Sequence, residues 1–364
     1  MSAYITSIGT ANPPFRVDQS QVHSFMVRAH ELNEQEANDL KVLYRASGIG
    51  SRYSVLQDYL KSDDFEFYPN THDLEPFPNT KNRSELFASR ACDLSLEAIR
   101  NCLPDHFNPA AVTHLITVSC TGMYAPGLDI DLVLRLGLKK SVERIGINFM
   151  GCYAAFNGLK TANAICGADP SARVLIVCTE LCSIHFQKQK TEDNLLSNAL
   201  FGDGSAAVMV EAEPHGDRSL KLSRFLCDLL PNGADDMAWK IGNFGFEMKL
   251  SAYVPDVIGQ GIHHLLRRLT ENEGNMVFDH YAIHPGGKKI LAVIQKELNI
   301  TKIQNQYAHE VLREFGNMSS PTILFVLHRI FQKLSAANNG ESILALAFGP
   351  GLTLESITME AVTA

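Results

Sequence analysis

The chain has 364 residues, of which 45% are hydrophobic and 20% are charged, and its formal net charge is −8. This length and composition predict a globular protein with one large layered domain or two domains of ordinary size. The acidic balance argues against nucleic acid as the main partner, although a local basic patch for a phosphorylated ligand is compatible with it. No basic, apolar leader opens the chain and no segment has the apolar length of a membrane span, so we expect a cytoplasmic protein. The eight cysteines are scattered, which fits reduced thiols rather than a disulfide framework.

Predicted strands and helices alternate through the first two thirds of the chain. Strands are predicted over 4–8, 114–119, 173–178 and 206–211, and helical stretches over 19–45, 84–102 and 129–136. This alternation predicts a mainly parallel sheet with helices on both faces. The polar stretch 213–219 is the best boundary, dividing the chain into halves 1–216 and 217–364. The second half repeats the pattern with a strand at 281–284, a helix at 322–334 and a strand at 342–348, so an internally duplicated architecture is expected.

The stretch 145–158 changes from a short apolar run to small, Ala-rich residues, and it places Cys152 where a strand gives way to a helix. The free N–H groups and the positive dipole end of a helix stabilise a thiolate, so we expect a lowered pKa and a candidate nucleophile. The alternative is a buried structural cysteine, which is the commoner role for a single cysteine.

Two further residues occupy similar junctions. His284 follows an apolar strand and precedes a Gly-Gly turn, while Asn317 lies just before the helix predicted at 322. Taken singly, the histidine suits a structural or surface role and the asparagine suits a helix cap. Together with Cys152 they provide a nucleophile, a base and a second donor. This set suits a cysteine hydrolase, or a condensing enzyme in which His and Asn stabilise the enolate formed by decarboxylation.

Cys178, Cys182 and His185 are possible metal ligands by residue type. Their spacing is not that of a usual zinc site and no fourth ligand is near in sequence, so we predict no metal and a place in a cavity wall.

Six motifs lie in order along nearly the whole chain and resemble those of type III polyketide synthases, the chalcone synthase-like family. The resemblance is to a bacterial-type member of that family. The motifs are Gly9-Thr-Ala-Asn-Pro13, Gly151-Cys152, Ala199-Leu-Phe-Gly-Asp-Gly-Ser205, His284-Pro-Gly-Gly287, Gly316-Asn-Met-Ser-Ser320 and Phe348-Gly-Pro-Gly-Leu352. The resemblance implies a thiolase-like five-layered αβαβα fold built from two similar halves, and a homodimer. It also implies iterative condensation of malonyl-CoA onto an acyl-CoA starter, with the CoA thioesters as substrates and no cofactor.

Carried over residue by residue, the resemblance makes Cys152 the acyl acceptor. His284 becomes its partner in a thiolate–imidazolium pair and, with Asn317, a donor to the malonyl thioester oxygen. Phe201 matches the aromatic gate between the CoA tunnel and the reaction chamber.

The chain departs from chalcone synthases around the expected chamber. Met248 stands where plant members carry a second gate phenylalanine, and Trp239 falls near a glycine position. Cys120, Cys182 and His185 match positions that hold threonines. We therefore expect a reshaped cavity and a product other than a chalcone.

The family's basic CoA contacts are only partly retained. The candidates are Lys41, Arg45 and Arg52, for which a solvated helix face is the alternative, and Lys288 and Lys289 beside the Gly286-Gly287 turn.

The predicted activity is decarboxylative condensation followed by cyclisation to a pyrone, resorcinol or phloroglucinol-type product. A ketoacyl-carrier-protein synthase III-like enzyme shares the same three residues and is the nearest alternative. A Cys-His-Asn thioester hydrolase and an inactive, protein-binding member are alternatives of other classes.

Overall fold

The computed structural model describes residues 2–104, 106–233, 236–251, 254–270 and 277–364. Its strands are β1 Tyr4–Ala11, β2 Phe15–Asp18, β3 Ser51–Ser54, β4 His114–Ser119, β5 Glu143–Asn148, β6 Arg173–Leu181, β7 Asp203–Glu211, β8 Arg218–Leu229, β9 Met237–Gly242, β10 Gly245–Leu250, β11 His280–Ile283, β12 Ser342–Gly349 and β13 Thr353–Thr363. Its α-helices are α1 Gln19–Ala29, α2 Glu34–Ala46, α3 Thr80–Cys102, α4 Leu128–Leu136, α5 Ala154–Ala168, α6 Glu192–Leu200, α7 Val254–Thr270, α8 Lys288–Leu298, α9 Gln306–Phe315 and α10 Thr322–Lys333.

Among the described residues, nine strands form one sheet in the order β11-β12-β13-β8-β1-β7-β6-β4-β5. In the first half, β4 and β6 are parallel while β7 runs antiparallel to both β6 and β1. In the second half, β11 and β12 are parallel while β13 runs antiparallel to both β12 and β8. The halves meet where β1 pairs with β8, Tyr4 opposite Lys221. This repeat confirms the predicted α/β fold of two similar halves.

The prediction of a mainly parallel sheet is wrong, because the sheet is mixed. The last two strands show the physical reason. Only residues 350–352 separate β12 from β13, and so short a connection can join only antiparallel neighbours.

The helices divide the molecule into five layers. Helices α3 and α4 cover the outer face of the first half, and α7 and α8 cover the second half. Between the halves lie α5, which contacts β6 and β13, and α10, which contacts β1 and β11. Both central helices are buried on most faces, as an apolar helix inside a domain must be, with Phe156 and Leu159 in α5 and the run Thr322–Leu327 in α10. The layers therefore alternate as αβαβα.

The helical stretch predicted at 19–45 is two helices. Helix α1 ends at Ala29, and α2 begins after Asn33, whose side chain accepts a hydrogen bond from the backbone N–H of Glu36. This asparagine cap stabilises a new helix start and separates the two segments. The β9–β10 hairpin, which forms a sheet of its own, was not predicted from the sequence.

None of the helices in the described ranges has the length and apolar character needed to cross a membrane.

Candidate active site

Cys152 lies at the junction that the sequence predicts. Strand β5 ends at Asn148, a short 3-10 turn spans Gly151–Tyr153, and α5 begins at Ala154. Gly151 has φ +75° and packs on the ring of Pro350, where a Cβ atom would meet ring atoms at 2.3 Å. A side chain at Gly151 would therefore be excluded by backbone conformation and by space. This turn buries the Cys152 side chain, which is 6% exposed.

Asn317 faces the Cys152 sulfur. Its amide Nδ2 lies 3.9 Å from Cys152 Sγ, while its Oδ1 accepts a hydrogen bond of 2.8 Å from the backbone N–H of Ser319. Helix α10 begins five residues later with Pro321 at the capping position, so Asn317 is not the N-cap of that helix. The carboxamide oxygen lies equally far from the sulfur, at 3.9 Å, so the whole amide group faces the thiol while the bond to Ser319 fixes its plane.

A backbone bridge joins Asn317 to Phe201. The N–H of Asn317 donates to the carbonyl of Leu200, and the N–H of Gly202 donates to the carbonyl of Asn317, both at 2.9 Å. Gly316, with φ +69°, allows this approach, since a Cβ there would lie 2.8 Å from the carbonyl oxygen of Leu200. The predicted gate residue and the predicted amide donor therefore sit on two short segments that pair with each other.

His284 follows β11 and is completely buried. Its backbone N–H donates to the carbonyl of Leu346, and its ring packs edge-on against Phe348 with the centroids 5.4 Å apart. The next residue, Gly349, packs on the backbone of Cys152, so His284 lies in the same region as the thiol. Neither ring nitrogen has a hydrogen-bond partner among the described residues. Burial lowers the pKa of His284 to about 3, so the imidazole is neutral at neutral pH.

The predicted lowering of the Cys152 pKa is wrong for the unliganded protein. Burial raises the pKa of the thiol to about 11, and hydrogen bonding from Ser319 and Asn317 only partly opposes this. Because helix α5 begins only at Ala154, two residues beyond Cys152, its positive end lowers the pKa of the thiol less than desolvation raises it. The thiol and the imidazole are both neutral, and the thiolate–imidazolium pair stays a prediction.

The Cys152 thiol opens onto a cavity, here called the chamber. Several residues predicted from the sequence to form the pocket line it together with Cys152: Cys120, Cys182, Phe201, Trp239 and Met248. Trp239 and Met248 share a wall because they are direct cross-strand partners in the β9–β10 hairpin.

An aromatic cluster fixes that wall. Trp239 Nε1 donates to the carbonyl of Cys120 at 2.7 Å, and the indole meets His185 and Phe246 edge-on. His185 stacks on Phe246 with centroids 4.2 Å apart; its Nδ1 accepts from the Phe246 N–H, and its Nε2 bonds the carbonyl of Thr121. Burial lowers the pKa of His185 to about 3, which keeps this ring neutral. The wall is therefore rigid and uncharged.

Cys178, Cys182 and His185 do not form a metal site. Within the described ranges, no group of three or more His, Cys, Asp or Glu side chains is arranged to hold a metal ion. Cys182 and His185 line cavities, whereas Cys178 packs in the hydrophobic core.

Glu180 is a site residue that the sequence analysis missed. It is fully buried at the end of β6 and accepts hydrogen bonds from Thr121 Oγ1 at 2.7 Å, Ser320 Oγ at 2.6 Å and Cys120 Sγ at 3.2 Å. Burial raises its pKa. The available signal was a glutamate that follows an otherwise apolar strand run, since a buried carboxyl requires such partners.

The predicted CoA-contacting residues separate into two places. Lys41 and Arg45 on α2 and Lys288 and Lys289 on α8 are exposed, and the Lys288 side chain lies over Gly48, at the end of α2. Gly286 and Gly287 are buried beneath this surface. Arg52 does not join the patch: it is 5% exposed, and its Nη1 donates to the carbonyl of Phe201 at 2.6 Å.

Comparison with known proteins agrees with this geometry. The family model for the N-terminal domain of chalcone and stilbene synthases matches residues 1–214, and the C-terminal model matches residues 221–363. The alpha-pyrone synthesis polyketide synthase-like Pks18 of Mycobacterium tuberculosis is 29% identical over 368 residues, covering 99% of this chain and 91% of that protein. The probable polyketide synthase 1 of Dictyostelium discoideum is 29% identical over 372 residues, and the match covers 99% of this chain but 12% of that much longer protein.

Solved structures lead to the same family. The C-terminal type III polyketide synthase domain of Steely1, a type I/III hybrid from Dictyostelium, superposes with a TM-score of 0.90 at 28% identity over 100% of both chains. PKS-I from the brown alga Ectocarpus siliculosus superposes with a TM-score of 0.89 at 29% identity, covering 99% of this chain and 98% of that one. The layered architecture is thus the thiolase-like fold of these enzymes. The chain belongs to the chalcone and stilbene synthase family, the type III polyketide synthases, which are acyltransferases that use acyl-CoA substrates.

Proposed function

We propose that Cys152 accepts an acyl starter from acyl-CoA and that the enzyme extends it with malonyl-CoA before cyclisation. The observation that carries this proposal is the Cys152 thiol, which lines the chamber together with Phe201 and whose sulfur lies 3.9 Å from the Asn317 amide. A nucleophile and a carbonyl-directed donor beside one largely apolar cavity suit acyl transfer followed by enolate formation.

Loading begins when His284 accepts the proton of the Cys152 thiol. Its neutral imidazole has no partner among the described residues for either ring nitrogen, which leaves a nitrogen available for this role. The thiolate attacks the starter's thioester carbonyl, the carbon–sulfur bond to CoA breaks, and CoA leaves as a thiol after taking up a proton. The acyl group is then a thioester on Cys152.

Extension follows when malonyl-CoA enters the chamber. The Asn317 amide and the His284 ring donate to the malonyl thioester oxygen, which becomes negatively charged as the carbon–carbon bond to the carboxylate breaks. Carbon dioxide leaves uncharged, which an apolar wall favours over the carboxylate. The enolate carbon attacks the Cys152-bound carbonyl, the sulfur is released, and the chain, longer by two carbons, is held on CoA until it returns to the cysteine.

The product class is set by the chamber. Trp239, fixed by its bond to the Cys120 carbonyl, restricts the space next to the nucleophile, which supports a small pyrone, resorcinol or phloroglucinol-type compound. One relative carries alpha-pyrone synthesis in its name. A ketoacyl-carrier-protein synthase III-like enzyme would load the extender from a carrier protein, and a thioester hydrolase would release no carbon dioxide.

We further propose a homodimer formed through the edge strand β5. This strand ends the sheet, Ile145 and Ile147 on it are only half-buried, and Met150, two residues before Cys152, is 37% exposed. An unpaired edge with apolar side chains is suited to a second copy. Sedimentation of the purified protein would test this.

We also propose that residues 1–216 and 217–364 act as two thiolase-like halves, the first carrying Cys152 and the second carrying His284 and Asn317. No metal or cofactor is needed for the steps above. A reducing cytoplasmic location is supported by the eight cysteines, each a free thiol.

The test is incubation of the enzyme with labelled malonyl-CoA and a panel of acyl-CoAs, with products identified by mass spectrometry. The proposal requires starter-dependent release of labelled carbon dioxide, cyclic products, and loss of both in Cys152→Ala. Hydrolysis of acyl-CoA without carbon dioxide release would refute it.

A further inference from the structure

A second cavity adjoins the chamber. This α1–α6 pocket shares Cys182, Phe201, Trp239 and Met248 with it. Beyond the shared wall it runs between α1, which contributes the apolar side chains of Val22 and Met26, and α6. The shared residues place this pocket directly next to the cavity onto which Cys152 opens.

Two buried polar groups in this pocket have no partner among the described residues. They are Arg52 Nη2, on a side chain 5% exposed, and Ser197 Oγ, on a side chain 8% exposed. Arg52 Nη1 is occupied, because it donates to the carbonyl of Phe201. Both Arg52 and Ser197 line the pocket, whose lining also includes the apolar Val22 and Met26.

Arg52 also lacks a close counter-ion among the described residues. The carboxylate of Asp203 is near enough for the two charges to interact, but its oxygens already accept hydrogen bonds from Val55 N, Ser183 N and Ser183 Oγ. The guanidinium donates to the Phe201 carbonyl and lies 6.0 Å from the centroid of the Tyr44 ring, but its charge has no paired carboxylate in the described ranges. A carboxylate best relieves the cost of such a buried charge because it accepts charge-assisted hydrogen bonds.

We propose that the α1–α6 pocket selects a starter whose acyl chain ends in a carboxylate, with the methylenes along the apolar wall and the carboxylate on Arg52 and Ser197. This inference rests on the proposed function of Cys152. Arg52 and Ser197 line the α1–α6 pocket and not the chamber at Cys152, so the carboxylate that they bind belongs to the part of the starter that extends past the chamber.

The experiment compares adipoyl-CoA with hexanoyl-CoA, which differ only in the terminal group of a six-carbon chain. Single-turnover acylation of Cys152 is followed by intact-protein mass spectrometry. We expect the wild-type enzyme to load adipoyl-CoA faster, and Arg52→Gln to reduce the adipoyl-to-hexanoyl rate ratio by about tenfold or more, the scale of one hydrogen bond to a charged group. Arg52→Lys should retain part of the preference. Arg90→Gln, which removes an exposed cation on α3, is the matched control and should leave the ratio unchanged.

Three results would overturn the proposal. The first is that the wild-type enzyme loads hexanoyl-CoA as fast as adipoyl-CoA. The other two are that Arg52→Gln slows loading of both starters equally, as the loss of a contact to CoA would, or that it slows only the decarboxylation of malonyl-CoA. If Arg52→Gln does not fold, two other measurements test the preference for a terminal carboxylate. One is the adipoyl-to-hexanoyl loading ratio of Ser197→Ala, and the other is the rate at which the wild-type enzyme loads adipoyl-CoA relative to its methyl ester. Polyketide formation from hexanoyl-CoA tests the proposed function separately, so the two can fail independently.

Discussion

Acid should destabilise this protein through two histidines that are buried in the neutral state. The pKa values of His185 and His284 are lowered by burial from 6.5 to about 3. In the unfolded chain both rings recover an ordinary pKa, so below pH 6.5 the unfolded state binds protons that the folded state does not. The stabilising contribution is complete above pH 6.5 and is lost as the pH falls towards 3.

The size of the effect follows from this linkage. At pH 5.5 each histidine costs about 1 kcal/mol of unfolding free energy, and at pH 4.5 between about 2 and 3 kcal/mol. Two such groups at pH 4.5 remove about 5 kcal/mol, which is comparable with the whole stability of many domains. His185 is the clearer case, because its Nδ1 already accepts the N–H of Phe246 and a proton there would face that donor.

The assay is urea denaturation at pH 7.5 and 5.5 of wild-type protein and His185→Gln. The variant is expected to be less stable at pH 7.5, but its loss of stability between the two pH values should be smaller than the wild-type loss by about 1 kcal/mol. His72→Gln is the matched control, since the His72 side chain is 85% exposed. Equal pH dependence in wild-type protein and His185→Gln would refute the reasoning.

The remaining predictions concern the chamber. Asn317→Ala should slow malonyl-CoA decarboxylation by about a hundred- to a thousandfold because it removes a preorganised donor, and unchanged carbon dioxide release would contradict this. His284→Gln should slow acylation of Cys152 by about a hundredfold or more because the thiol loses its proton acceptor, as measured by intact-protein mass spectrometry. Trp239→Gly should open the wall and change the starter range or the number of extensions; an identical product profile by mass spectrometry would show that Trp239 does not control chamber size.

Much of the first half could be predicted because its strands are apolar on both faces and end at turn residues. The strand at 114–119 was predicted to the residue, and the junction at Cys152 followed from a change of composition at 149–154. These signals are local, since burial and helix entry leave a mark on the residues themselves.

Other features depend on contacts between distant segments. The β9–β10 hairpin carries polar and aromatic residues without strict alternation, and its register, with Trp239 opposite Met248, is visible only in the folded chain. Glu180 has a role only through partners about 60 to 140 positions away. The pKa of Cys152 likewise depends on how completely distant segments exclude water, which one strand-to-helix motif cannot reveal.

Phe201, the proposed gate residue, and Asn317, the proposed amide donor, lie on two short segments that are joined by the same pair of backbone hydrogen bonds. A bulkier side chain at Gly202 or Gly316 would push the two segments apart, because a Cβ at either position meets backbone atoms within 2.9 Å. Variants made to widen the entrance at Phe201 will therefore also disturb the amide that faces the sulfur. Substitutions of Phe201 should therefore change KM and kcat together. Substitutions of Trp239, which is held by its bond to the Cys120 carbonyl, should alter the substrate range with less effect on the Asn317 amide.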